Sequence, residues 1–208
     1  QFRSVQTLRD SGVNLLFFSG NAICWITPFS SSSKGVANRA IFRAGPYGAN
    51  NIFAKEMEKL FGPFPDGRGP DEGMLMGVRN ILPVNGGGDW IIIKPEHWMF
   101  EGSGIKKGDR IRGLIGWEYH GNAPAIEGLE VVAEGIAWQG GDHPSKWQSV
   151  IYPGPKGNFV FNASTIFWSQ GLSRPPGHTL PWSHYSRPHG PDPRVQKITH
   201  NLLKKAIS

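Results

Sequence analysis

Apolar residues at Phe2, Val5 and Leu8 recur every three positions, with Arg3, Gln6 and Arg9 opposite them, which predicts a helix over residues 2–10. Gly12 follows as its C-terminal cap. Residues 13–18, VNLLFF, are a short apolar run that predicts a buried strand ending at Ser19-Gly20-Asn21. A helix, a glycine and then a buried strand form the last part of an α/β unit. Such a strand needs parallel neighbours, supplied by later residues or by an upstream portion removed from this chain. Further on, residues 22–27 are apolar, residues 30–35 read as a polar tip, and residues 38–43 read as a strand. Residues 51–60 have helix-forming composition, and a glycine- and proline-bearing loop covers residues 62–73.

After a short apolar segment at 74–78, the glycine turn at 85–89 introduces a strand over 90–93 and lacks the spacing of a phosphate-binding loop. Alternation of Ile111, Gly113, Ile115 and Trp117 against Arg112, Leu114, Gly116 and Glu118 predicts a strand with the WEYH tetrad at its end. Strands are also expected at 128–133, 148–152 and 158–161, with a loop at 139–145 and a PGPKG turn between the last two. Residues 174–193, rich in proline, histidine and aromatics, predict an ordered irregular arm. Asp192-Pro193 then opens a helix over 194–207, with Val195, Ile198, Leu202 and Leu203 on its apolar face and Lys197, Lys204 and Lys205 outward. The expected architecture is a single α/β domain over residues 1–208 with β-rich additions, the long arm and a C-terminal helix.

Composition narrows the class. A chain of 208 residues can bury a sizeable core, and 12% aromatics with eight tryptophans exclude a disordered chain. Gly 28 and Pro 17 point to short elements and many turns. The net charge of +6 is dispersed, without the basic stripe of a nucleic-acid binder, so a nucleic-acid partner is not expected. A single cysteine, Cys24, excludes an internal disulfide and fits a reducing compartment, and no apolar stretch is long enough to span a membrane. A soluble, cytoplasmic protein is the expectation.

The densest chemistry lies in residues 97–121, HWMFEGSGIKKGDRIRGLIGWEYHG. Glu118, between Trp117 and Tyr119, is either a partly desolvated carboxylate suited to proton transfer or one half of an ion pair with an arginine. Asn21 sits where ligands bind in open α/β sheets, at the carboxyl end of a strand, though Ser-Gly-Asn is also ordinary turn composition. The seven histidines show no metalloprotease spacing, and no Gly-x-Ser-x-Gly elbow occurs, so no metal site is assigned. Asn162-Ala163-Ser164 is formally a glycosylation triplet, but it follows a strand that reads as buried.

The run at 97–121, then GLEVVAEG, YPGPKGNFVFNASTIFWSQGL, PPG and PDPRVQKITHNLL, with LRDSGVNLLFFSGNAICW near the start, resembles the C-terminal region of the N,N-dimethylformamidase large (beta) subunit and its relatives. The resemblance spans nearly the whole chain. It implies a sheet like that of the class I glutamine amidotransferases and hydrolysis of small N-substituted amides. It further implies an iron ion held by two tyrosines and a glutamate around a His-x-Glu-Tyr motif, which this chain lacks. Iron is therefore expected only where a second chain or an upstream segment supplies that motif, in a homo- or hetero-oligomer. Asn21 matches the family's Gly-Gly-Asn, and would orient the substrate carbonyl or stabilise its oxyanion. Glu118 matches a glutamate of the active site, and would act as base. Arg43 corresponds to a basic residue after the asparagine loop. His97, Trp117, Tyr119 and His120 complete the candidate substrate-binding set. The alternative is a non-catalytic module that keeps the scaffold and binds an aromatic or sugar-like ligand through Trp98, Trp117, Trp168 and Trp182.

Overall fold

A computed structural model describes residues 1–23, 25–41, 45–46, 71–81, 86–139, 143–177 and 190–208. Cys24, Arg43, the helix expected at 51–60, most of the loop at 62–73 and residues 178–189 of the arm, Trp182 included, lie outside the described residues. The chain forms two compact units, residues 22–72 and residues 1–21 with 73–208. In the smaller unit, β2 (Trp25–Ile26) pairs antiparallel with β5 (Gly45–Pro46), and β3 (Phe29–Ser30) with β4 (Ala40–Ile41).

The larger unit opens with α1 (Phe2–Asp10), as the apolar spacing predicts. Gly12 follows it at φ +105°, a conformation that glycine adopts without a steric penalty. The helix is held by polar contacts more than by burial. Asn158 Nδ2 donates to Arg9 O at 2.9 Å and Val13 O at 2.8 Å, and none of its residues is buried. Strand β1 (Leu15–Phe17) then pairs parallel with β12 (Phe159–Asn162), in register Leu15↔Val160 and Phe17↔Asn162. The parallel partner expected for the first strand therefore comes from late in the chain. The strand itself is half-buried, because it lies at the end of a sheet ordered β1-β12-β11-β10.

Strands β10 (Glu130–Gln139) and β11 (His143–Pro153) form a long antiparallel hairpin. This corrects two expectations. The strand placed at 128–133 extends to Gln139, and much of the loop placed at 139–145 is strand, because cross-strand pairing continues through Trp138↔Pro144. Beside β10 runs β7 (Gly88–Ile91), joined to it through the bridges Gly87↔Trp138 and Ile92↔Ala133, and β7 pairs with β8 (Arg110–Ile115). The alternation predicted along 111–118 is broken. Gly113 has φ +66° and donates its N–H to Asp89 Oδ1 at 3.0 Å, and the register shifts so that Leu114 and Ile115 are both buried. The short apolar segment at 74–78 begins as helix α2 (Gly73–Met76), followed by β6 (Arg79–Asn80), which pairs with β9 (His120–Gly121).

The core of this unit is aromatic. Trp90 stacks on Trp147 with centroids 6.4 Å apart and meets Trp168 edge-on at 5.5 Å, while Phe161 lies 5.9 Å from Trp168. Helix α3 (Pro193–Ala206) closes the core with Val195, Ile198 and Leu202. Asp192 caps it by accepting from Arg194 N at 2.8 Å, with proline at the first turn. Leu203 is 48% exposed, contrary to expectation. The helical angle places Thr199 on the core side instead, where its hydroxyl accepts from Trp168 Nε1 at 3.0 Å.

Candidate functional site

The first polar residues after β1 and β12 meet the chain that follows β8. Phe18, just past β1, stacks on Trp168 at 5.9 Å and packs against Phe161, which anchors the Ser19-Gly20-Asn21 turn to the core. Gly20 is buried against the Glu118 backbone: a Cβ there would lie 2.3 Å from Glu118 O. Asn21 takes φ +48°, a left-handed conformation that asparagine tolerates better than most residues. Its Nδ2 donates to Glu118 Oε1 at 3.2 Å, across 97 positions of sequence.

Glu118 is placed by a lattice of short-range constraints. Gly116 leaves no room for a Cβ, which would fall 2.6 Å from Ile166, and its N–H donates to Thr165 Oγ1 at 3.0 Å. Trp117 packs edge-on against Phe167 with centroids 5.3 Å apart. Glu118 O accepts from Ile166 N at 3.0 Å, and Tyr119 bridges to Thr165. The carboxylate is half-buried, and among the described residues it has no ion-pair partner.

Two positions after Glu118, His120 enters a fully buried polar layer. His120 Nδ1 is 3.0 Å from Asn162 Oδ1, which also accepts from Ser164 N at 2.8 Å. Ser149 donates to Asn162 O at 2.6 Å, and Ser164 Oγ donates to Gln148 O. Burial drives the His120 imidazole down to about 4, against a smaller upward pull from Asn162, so the ring is neutral at physiological pH.

The remaining candidates are spread out. Tyr119 is 1% exposed and belongs to the core. His97 caps the short turn Trp98–Phe100, its Nδ1 accepting from Met99 N at 3.3 Å. Burial lowers its pKa, and the charged groups acting on it are Glu130, Lys94 and Glu96, none of them from 117–120. Arg43 lies outside the described residues. Trp168 is fully buried, and Trp98 and Trp117 are half-buried and make edge contacts with Phe159 and Phe167. The sequence marks Asn162 and Ser164 only as parts of a formal glycosylation triplet. The available signal was the run of polar residues directly after a buried strand.

Two clefts open elsewhere on this unit. One, of about 620 Å³, lies between Trp98, Glu101 and the Lys197–Lys205 face of α3; the other, of about 660 Å³, lies beside α1. Neither is lined by Asn21 or Glu118. Among the described residues, no three His, Cys, Asp or Glu side chains come together in a group able to hold a metal ion. Among these residues there is also no helix long and apolar enough to cross a membrane.

The fold and site define a mixed α/β protein with an asparagine and a glutamate joined at the carboxyl end of a parallel strand pair. Residues 1–184 match the family described as N,N-dimethylformamidase beta subunit-like, C-terminal, and the chain belongs to that family. A comparison with curated proteins found no match.

Proposed function

We propose that this chain contributes the Asn21–Glu118 half of an active site that hydrolyses the C–N bond of small N-substituted amides. The observation that carries this reading is the hydrogen bond between the two side chains, made where a glycine permits direct backbone contact and where ligands bind in sheets with parallel strands. The family points to the same chemistry. The parallel pair of β1 with β12 supports reading the sheet as part of a glutamine amidotransferase-like fold.

In this mechanism the substrate carbonyl oxygen takes a hydrogen bond from Asn21 Nδ2, which stabilises the negative charge that develops there. Glu118 takes a proton from water as the water oxygen bonds to the carbonyl carbon. Collapse of the tetrahedral species breaks the C–N bond, and Glu118 returns the proton to the departing nitrogen. A carboxylic acid and an amine result. The rest of the site, including any iron ligands, comes from polypeptide outside the described residues, as a further segment or a second chain.

The test is amine release from N,N-dimethylformamide by the chain in its native assembly. Glu118→Gln should lower kcat by about 100-fold or more, and Asn21→Ala by a similar factor. Wild-type turnover in Glu118→Gln, or no turnover of any small N-substituted amide by the wild type, would overturn the reading.

A further inference from the structure

The buried polar layer contains two polar atoms with no hydrogen-bond partner among the described residues, His120 Nε2 and Asn162 Nδ2. Their chemistry is complementary. Ser164 N–H can only donate, so the Asn162 atom facing it is the acceptor Oδ1, and the Nδ2 group is left as a donor. Because Oδ1 only accepts, His120 Nδ1 carries the proton directed at it. In a neutral ring Nε2 is then a bare acceptor. An acceptor and a donor, both fully buried on two side chains joined at 3.0 Å, carry a desolvation penalty if left unsatisfied. A polar site of this kind is where buried water is held.

The dyad also ties the two halves of the site together. Asn162 lies opposite Phe17 in the parallel pair, four positions before Asn21, and His120 follows Glu118 by two. The β1–β12 pairing on one side and the His120–Asn162 bond on the other thus connect the segments that carry Asn21 and Glu118.

We propose that His120 and Asn162 act as one positioning unit for the Asn21–Glu118 pair, with one buried water donating to His120 Nε2 on the far side of the ring and a separate one accepting from Asn162 Nδ2. This deepens the amide-hydrolase reading and rests on it for its purpose, but its physical content needs no substrate.

Nitrogen-15 and carbon-13 NMR of the full chain provides the test. The wild-type His120 ring should show a protonated Nδ1 and a bare Nε2, with a long-lived water correlated to the ring. His120→Phe, which cannot donate to Asn162, should shift the Asn21 side-chain amide and the Glu118 carboxyl resonances. His120→Gln, whose amide can donate in place of Nδ1, should restore them. A ring protonated on Nε2 would overturn the proposal even if His120→Phe does not fold. So would a folded His120→Phe with unchanged Asn21 and Glu118 resonances. Wild-type turnover in Glu118→Gln would sink the catalytic reading instead and leave these spectra as they are.

Discussion

Asn21 donates its side-chain amide to Glu118 at 3.2 Å, although 97 positions separate the two residues in the chain. The contact needs Gly20, whose backbone lies directly on the Glu118 carbonyl, and it needs the aromatic anchor of Phe18 two positions before that glycine. An asparagine in a strand-end turn and a glutamate after another strand become one polar pair only through this packing.

Gly20→Ala is expected to destabilise the protein by about 1–3 kcal/mol, the range for overpacking a filled position. The new Cβ would meet Glu118 O at 2.3 Å and Glu118 Cβ at 2.6 Å, so the turn must lift away and carry Asn21 with it. Urea unfolding measures the loss. An unchanged midpoint would show that the turn has slack to absorb the methyl group.

His120 makes stability pH-dependent. Its folded pKa of about 4 lies below the ordinary 6.5, so the unfolded chain takes up the proton first as pH falls. The contribution is complete above pH 6.5 and declines towards pH 4, by about 3 kcal/mol in all. Urea unfolding across this window should show the decline in the wild type and a flatter profile in His120→Gln. Equal slopes in the two proteins would assign the decline to other groups.

Thr199→Val keeps the shape of the side chain but removes the acceptor for Trp168 Nε1, whose indole is fully buried against α3. The unsatisfied N–H should cost about 1–3 kcal/mol. Thermal unfolding would register this as a lower Tm, and a wild-type Tm would mean the indole finds another acceptor.

Local rules made much of the fold legible. The spacing of Phe2, Val5 and Leu8 predicts α1, and Asp192-Pro193 marks the start of α3, because helix periodicity and capping act over a few residues. The break at Gly113 was not legible, since the N–H bonded there reaches Asp89 on another strand. The full length of the β10–β11 hairpin was hidden for a similar reason: the 139–145 segment has loop composition, and cross-strand pairing overrides it. At the candidate site, Asn21 and Glu118 stood out by position and by resemblance to the family. The buried layer of His120, Asn162 and Ser164 did not, because its members are polar residues whose burial depends on strands distant in the chain.

The parallel pairing of the first and last strands has a kinetic side. Asn14 and Phe159, 145 positions apart, share a hydrogen bond next to the β1–β12 ladder, so the chain must close a very long loop before this ladder exists. As the polypeptide leaves the ribosome, β1 emerges well before β12 and waits for this partner until most of the larger unit has been synthesised. Asn21 is carried by that waiting segment and reaches Glu118 only when it docks. Nascent or truncated chains ending before β12 therefore present both residues without joining them.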